Sequence, residues 1–250
     1  MQPQSRDAPP LTIELSQATA DGSPSQLDAV AADLALLGGG RLRARAGDRV
    51  VRFALPDAPS HAELLHPYLA PAAALMWQWA GEEALHAGAF ELDAGAVLLF
   101  GTKESGKSTQ LAWLAREQGL TVLADDLAVI DEGRVLAGPR SIDLRGPVAS
   151  GGVAVRSGER VRVSLPPAPT SSPVACSVLL EWGPELKLSR VPPARRLEVL
   201  AGQRTYPPLL GRPGALLDLA ARPMFTLARP ARLDSLEATT AALLVCCSEP

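Results

Sequence analysis

Eight residues, Gly101-Thr102-Lys103-Glu104-Ser105-Gly106-Lys107-Ser108, constrain this chain more than any others. They match G-x-x-x-x-G-K-[ST] in full. An apolar run, Ala96–Phe100, precedes them, and Lys107–Gln118 carries helical spacing of apolar residues. Strand, glycine-bounded loop and helix in that order present successive backbone N–H groups to a phosphate. The glycines let the backbone curl. Lys107, at the start of the helix, reaches the terminal phosphates as a compact positive charge. Ser108 offers a hydroxyl to magnesium. The expected nucleotide-contacting set is therefore Gly101 through Thr109, with Thr102, Lys103, Glu104 and Ser105 inside the loop. A Gly/Ser turn with no ligand is the alternative, and the flanking strand and helix argue against it.

A second apolar run, Leu120–Ala124, ends at Asp125-Asp126. With the loop and helix it makes a βαβ unit. Ligands of open parallel sheets sit at the C-terminal strand edge. If the two strands are neighbours, both carboxylates face the loop. Adjacent carboxylates repel, and a cation between them offsets that cost. One can hold magnesium while the other accepts a proton from an attacking hydroxyl. A solvated turn is the bland alternative. Glu181 closes another apolar run and is a secondary candidate acid.

These signals predict an α/β fold: a P-loop core over 81–250, behind a small α+β piece over 11–80 and a disordered tail over 1–10. In the front piece, Leu11–Leu15 reads as a strand and Leu27–Leu37 as a helix. Arg41–Arg45 and Arg49–Leu55 form a hairpin around Gly47-Asp48. His61–Leu85 reads as mostly helical, with Pro67 and Pro71 near its start. In the core, Gly88–Leu92 and Ala96–Phe100 form a hairpin around Asp93-Ala94-Gly95. Leu127–Ile130 and Arg134–Ala137 flank a turn at Asp131–Gly133. The Gly-, Ser- and Pro-rich stretch 146–173 reads as a loop or flap with a weak strand at Val161–Leu165. Val174–Leu180 is a strand, with Leu186–Val191 as its expected partner. Helices over Pro192–Gln203, Ala215–Ala221 and Ser235–Cys247 and a strand at Met224–Ala228 complete the chain.

A net charge of −3 gives no reason to expect nucleic acid or an anionic membrane as partner. No apolar run reaches the ~18 residues of a bilayer span. Met1–Pro10 lacks the order of a signal peptide, so a cytoplasmic location is expected. Cys176, Cys246 and Cys247 match no zinc or disulfide spacing.

Four segments resemble the catalytic core of the HPr kinase/phosphorylase family. Leu85-His86-Ala87-Gly88 precedes the hairpin, and the phosphate loop follows. Leu123-Ala124-Asp125-Asp126 closes the next strand, and Ile142-Asp143-Leu144-Arg145-Gly146 comes after it. The family has similar Leu-His-Gly, Ala-Asp-Asp and Glu-Ile-Arg-Gly elements, and it transfers phosphate from ATP to a serine hydroxyl. The layout is similar to relatives found beside peptide natural-product genes, some of which phosphorylate ribosomally made precursors of the lasso-peptide type. The resemblance implies a core like the HPr kinase C-terminal domain, with ATP and Mg2+ as its requirements. Asp125 becomes the candidate base and Asp126 the magnesium partner with Ser108, and the two assignments can be exchanged. The chain departs from the family at Glu104, where Gly is usual, at Thr109, where an acid is usual, and at Pro147.

His86 either approaches the reacting phosphate or supports Asp125, or is a structural histidine. Arg140 and Arg145 are candidates to stabilise transferred charge, and Arg229 is a weaker one. His61 and His66 read as surface or helix-start residues, and Trp77, Trp79 and Trp113 as core anchors. The expected function is phosphoryl transfer to a serine of a peptide or small protein. Transfer to a small hydroxylated metabolite and nucleotide binding without transfer are the alternatives. A homo-oligomer is left open.

Overall fold

In the computed structural model, residues 11–18, 22–36, 39–145, 152–155, 160–212 and 214–246 are described. The tail expected over Met1–Pro10, and Pro147 and Cys247, lie outside them. The chain opens with a five-stranded sheet of β1 (Thr12–Gln17), β2 (Gln26–Leu27), β3 (Ala31–Leu36), β4 (Gly40–Arg45) and β5 (Val50–Leu55). Its order is β1-β5-β4-β3-β2, with β1 parallel to β5 and the other pairs antiparallel. The helix expected over Leu27–Leu37 is therefore wrong. Ala and Leu crowd this segment so densely that a period of two fits as well as 3.6. Cross-strand partners settle it: Ala32 faces Ala44 and Leu34 faces Leu42, while Asp33 pairs with Arg41 at 2.6 Å and Arg43 at 2.9 Å.

The next segment is helical only in part. Ser60 and Glu63 form a capping box on α1 (His61–Glu63). His66 leaves helical geometry at φ −152°, ψ 125°, as the residue before a proline tends to. Helix α2 (Leu69–Trp79) follows, and Gly81 at φ 92° turns the chain out of it. Glu83–Leu85 is then strand β6, not helix, because it pairs with β10 (Ala128–Asp131) and Glu83 meets Arg204 at 2.9 Å.

The site is positioned by β7 (Gly88–Leu92), β8 (Gly95–Phe100), α3 (Lys107–Glu117) and β9 (Val122–Ala124). Every residue of β8 is buried. Strands β8 and β9 run in the same direction, yet they are not neighbours. Strand β7 lies between them, antiparallel to both. The tight turn at Gly95, φ 121°, folds β7 onto the open edge of β8 before β9 can reach it.

Strand β11 (Arg134–Leu136) pairs with β10, joined through Glu132 and Gly133 at φ 47° and 73°. Residues 146–173 were expected to be a loop or flap with a weak strand at Val161–Leu165; that strand is present at Arg160–Ser164, and among the described residues Val153–Val155 and the stretch from Ser171 are strand as well. Strands β12 (Ser141–Leu144), β13 (Val153–Val155) and β14 (Arg160–Ser164) form an antiparallel sheet of order β12-β14-β13. Its apolar residues Ile142 and Leu144, with Leu165 just beyond β14, join the core beneath α3, which local composition does not reveal. Strand β15 (Ser171–Trp182) lies between β8 and β17 (Met224–Arg229), parallel to both. Strand β16 (Lys187–Arg190) pairs with β17, not with β15 as expected, because β17 already occupies that edge. Helices α3 and α6 (Leu236–Val245) contribute to the core on one face of the sheet, and α4 (Pro193–Ala201) and α5 (Ala215–Ala221) to the core on the other. Cys176 and Cys246 are buried side by side, sulfurs 3.7 Å apart. Among the described residues, no helix is long and apolar enough to cross a membrane.

Leu111 anchors α3 in this core and is fully buried. Leu111→Ala should cost about 2–5 kcal/mol, the usual loss for emptying such a site. Chemical denaturation measures it, and a loss under 1 kcal/mol would show that α3 is held elsewhere.

Candidate phosphate-binding site

Three residues of the loop between β8 and α3 take a positive φ: Gly101 (154°), Glu104 (68°) and Gly106 (80°). A Cβ on Gly101 would lie 2.4 Å from Ser105 Oγ and 3.0 Å from the Leu180 carbonyl. On Gly106 it would lie 2.7 Å from Arg229 Nη2. Both glycines are therefore required by close approach as well as by dihedral angle.

Helix α3 begins without a side-chain cap. Its first internal bond runs from Gln110 N to Gly106 O, so the N–H groups of Lys107, Ser108 and Thr109 have no acceptor within the helix. They line one cavity of about 290 Å³ together with Lys103, Glu104, Ser105 and Gly106. Unpaired donors at the positive end of a helix dipole favour an anion there. Gly101 is buried at the base of the loop, and Thr102 faces a second cavity on its other side with Glu181.

Lys107 is buried, and its ammonium donates to the Gly101 carbonyl at 2.7 Å. It also lies 3.2 Å from His86 Nε2. Burial lowers its pKa, and the charges of Asp126 and Asp125 oppose that shift. Arg229 supports the loop from behind. It donates to the Ser105 carbonyl at 2.9 Å and stacks on Trp182 at 4.5 Å. Burial pushes its pKa down to about 10.

The acids reach the same cavity from the end of β9, across one intervening strand. Ser108 Oγ donates to Asp125 Oδ1 at 3.0 Å. Asp126 turns back at φ 68°, a conformation Asp tolerates better than most residues. One oxygen of Asp126 then meets His86 Nδ1 and the other His66 Nε2, both at 3.3 Å. The two neighbouring acids are driven apart electrostatically. Burial and the charge of Asp126 push Asp125 up to about 6, against the Ser108 hydrogen bond. The hydrogen bond from His66 leads in drawing Asp126 down to about 2, against burial. For His86, burial and then the Lys107 charge lower the pKa, which suits a neutral ring accepting from Lys107 and donating to Asp126.

His66 was read from the sequence as a surface or helix-start residue. The structure places it in this cavity, 3.3 Å from Asp126 and 3.3 Å from Asp143. No spacing ties it to Asp126, 60 residues away. Arg145, expected near the transferred charge, sits at the cavity mouth and pairs with Glu104 at 2.5 Å. Arg140 does not lie in the cavity: it donates to the carbonyls of Val122 and Pro166, both at 2.7 Å, and so clamps two segments together. Glu181 is likewise absent from this cavity and lines the one behind the loop.

Ser108 Oγ and the two carboxylates are an all-oxygen donor set, which suits a hard cation. Among the described residues, no group of three or more His, Cys, Asp or Glu could hold a metal by itself. Magnesium in nucleotide sites is usually held by one or two carboxylates together with phosphate and water, and this set fits that arrangement.

No protein-family model and no curated protein matches this chain. Among solved structures, the chain is similar to the Hpr(Ser) kinase/phosphatase from Coxiella burnetii. The TM-score is 0.33 and the identity 12%, over 65% of this chain and 88% of that one. A likeness that slight carries no weight for function.

Proposed function

We propose that this chain is an ATP- and magnesium-dependent kinase that phosphorylates a serine hydroxyl of a peptide or small protein, with 81–250 as its catalytic part. One observation carries the reading. An uncapped helix N-terminus, a buried lysine and a pair of acids with opposite pKa shifts converge on a single cavity. Phosphoryl transfer asks the protein for little beyond positioning and charge, and these groups supply both.

The loop N–H groups and Lys107 hold the β- and γ-phosphates. Ser108 and Asp125 would hold magnesium, which when bound supplies positive charge to the phosphate oxygens. Asp125 fits that place because its charge is poorly compensated, so a cation beside Ser108 relieves it. Asp126 is already compensated by two imidazoles, and its side chain is 51% exposed. It is placed to orient the acceptor hydroxyl and to take its proton as the bond from that oxygen to the γ-phosphorus forms and the bond from the γ-phosphorus to the β–γ bridging oxygen breaks, so that ADP leaves. This is the exchanged form of the assignment that the family resemblance suggests.

The deciding experiment uses labelled ATP, magnesium and a panel of serine peptides and hydroxylated metabolites. Label on a peptide serine is the expected result. Label only on a metabolite would replace the acceptor class, and tight binding without transfer to any of them would favour a nucleotide-binding regulator.

Glu104 makes a separate prediction. A non-glycine residue at φ 68° costs about 1 kcal/mol, while an exposed ion pair returns about 0–1 kcal/mol. Its carboxylate also engages Arg145 at the cavity mouth. Glu104→Gly should therefore leave stability unchanged or slightly higher and tighten ATP binding several-fold, read by calorimetry. Weaker binding would mean that Glu104 helps to hold the nucleotide.

A further inference from the structure

A connected set of polar side chains runs through the cavity. Lys107 meets His86, His86 meets Asp126, Asp126 meets His66, and His66 meets Asp143. Arg162 closes the series with bonds to both oxygens of Asp143, at 2.6 and 2.8 Å. Every link but the first, between Lys107 and the neutral His86, joins a basic group to a carboxylate. The series joins four separate parts of the chain: the connection between β6 and β7, the start of α3 with the end of β9, the three-stranded sheet, and the segment between α1 and α2.

His66 is the member supplied from outside the P-loop core. Both of its ring nitrogens face carboxylate oxygens at 3.3 Å, and only a ring carrying both protons donates to both. Its backbone is fixed as well. The Arg162 guanidinium donates to the carbonyls of Ala62 and His66, the latter at 3.0 Å. One arginine thus holds the segment that carries His66 and also the carboxylate on the far side of the ring. On the Asp143 side, burial opposes ionisation, but hydrogen bonds from Arg162 and His66 hold the carboxyl well below the usual carboxylate range. Asp143 therefore stays a firm acceptor.

We infer that His66 is a positioning residue of the phosphoryl-transfer site, and that Asp143 and Arg162 aim it. It acts through Asp126. With His86 on one oxygen and His66 on the other, the Asp126 carboxylate has one orientation, although it stands half exposed at the end of a turn. A freely rotating carboxylate would meet the acceptor hydroxyl in the right geometry only part of the time, and positioning is a large share of such catalysis. The front piece is then part of the site, not an appendage to it. The ring's bonds to Asp126 and Asp143 place its action on the acceptor side, so its loss should change turnover far more than nucleotide binding.

This rests on the kinase reading, so the test carries Lys107→Ala as a control for that reading. Turnover, KM for ATP and nucleotide binding are measured for wild type, His66→Ala and His66→Gln, with thermal midpoints to show folding. Expected for His66→Ala is a kcat lower by ~10²-fold, the scale of a misplaced catalytic group, with KM and nucleotide affinity within a few-fold of wild type. His66→Gln keeps one amide donor for Asp126 and should recover part of that loss. An unchanged kcat, a loss confined to KM, or no recovery in His66→Gln would overturn the inference. Should His66→Ala not fold, His66→Gln decides alone: a reduced kcat at unchanged KM supports the role, and wild-type kcat refutes it. If wild type transfers no phosphate to any acceptor, the kinase reading fails and this inference falls with it; if Lys107→Ala transfers as fast as wild type, the loop is not the transfer site and the inference falls as well. If only the His66 variants are normal, that reading stands and this inference falls.

Discussion

Lys107→Ala is expected to abolish phosphoryl transfer, lowering the rate by ~10²–10³-fold or more, as the loss of one preorganised charge-stabilising donor does. The ammonium is buried at the floor of the cavity and held on the Gly101 carbonyl at 2.7 Å, beside the helix end whose N–H groups have no acceptor within the helix. Burial already disfavours its charge, so an arriving phosphate gives the lysine a better partner than it has alone. Removing it takes away both affinity and the charge that the transition state needs. The fold should survive, because the loop glycines, Arg229 and the apolar face of α3 are untouched. Lys107→Arg should not rescue. A guanidinium is a planar fork, and the space between Gly101 and His86 holds a compact ammonium. Transfer assays and nucleotide titrations check this, and a variant that still transfers phosphate at the wild-type rate would remove the loop from the mechanism.

Asp125→Asn is expected to lower transfer by ~10²-fold or more. The several kcal/mol that a bound metal ion supplies to such a transition state convert to at least that factor. The amide keeps the shape of the carboxyl and can still accept from Ser108, but it cannot offer a charge to magnesium. The variant should therefore need far more magnesium for its residual activity, while magnesium-free nucleotide binds as well as before. Stability should move in the opposite direction. A carboxylate whose pKa is raised to about 6 in the folded protein weakens the fold as pH rises from about 4 to 6, and that cost is fully present at neutral pH. The metal-free Asn variant should melt at or above wild type at pH 7, and the difference should vanish below pH 4. Normal turnover with unchanged magnesium dependence would show that Asp125 holds no metal. A site that stabilises less than its neutral substitute does is a usual mark of function.

Much of the core was legible because its signals are local. The phosphate loop is a contiguous run, and its glycines, lysine and serine act within one turn of backbone. The hairpins at Gly47-Asp48, Asp93-Ala94-Gly95 and Asp131–Gly133 were legible for the same reason, since turn residues report their own dihedral angles. Asp125-Asp126 could be singled out because a strand end is visible in an apolar run. The segment over Leu27–Leu37 could not be read, because Ala and Leu at almost every position erase the period that separates helix from strand. Only Leu42 and Ala44 across the sheet make the choice.

What the amino-acid sequence determined alone was the chemistry available: a phosphate cradle, a lysine, a hydroxyl and two acids on a strand–loop–helix–strand path. Tertiary structure decided the rest. It set β7 between the two strands that carry the loop and the acids. It gave Asp125 and Asp126 opposite electrostatic surroundings, although they are adjacent in the chain. It also brought His66, Asp143 and Arg162 to them from 60 residues before and from 17 and 36 residues after Asp126. Their bonds form between side chains with no regular spacing, so no local pattern records them. A carboxylate's pKa depends on which charges the folded chain places within a few ångströms, and that is a property of the packing, not of the order of residues.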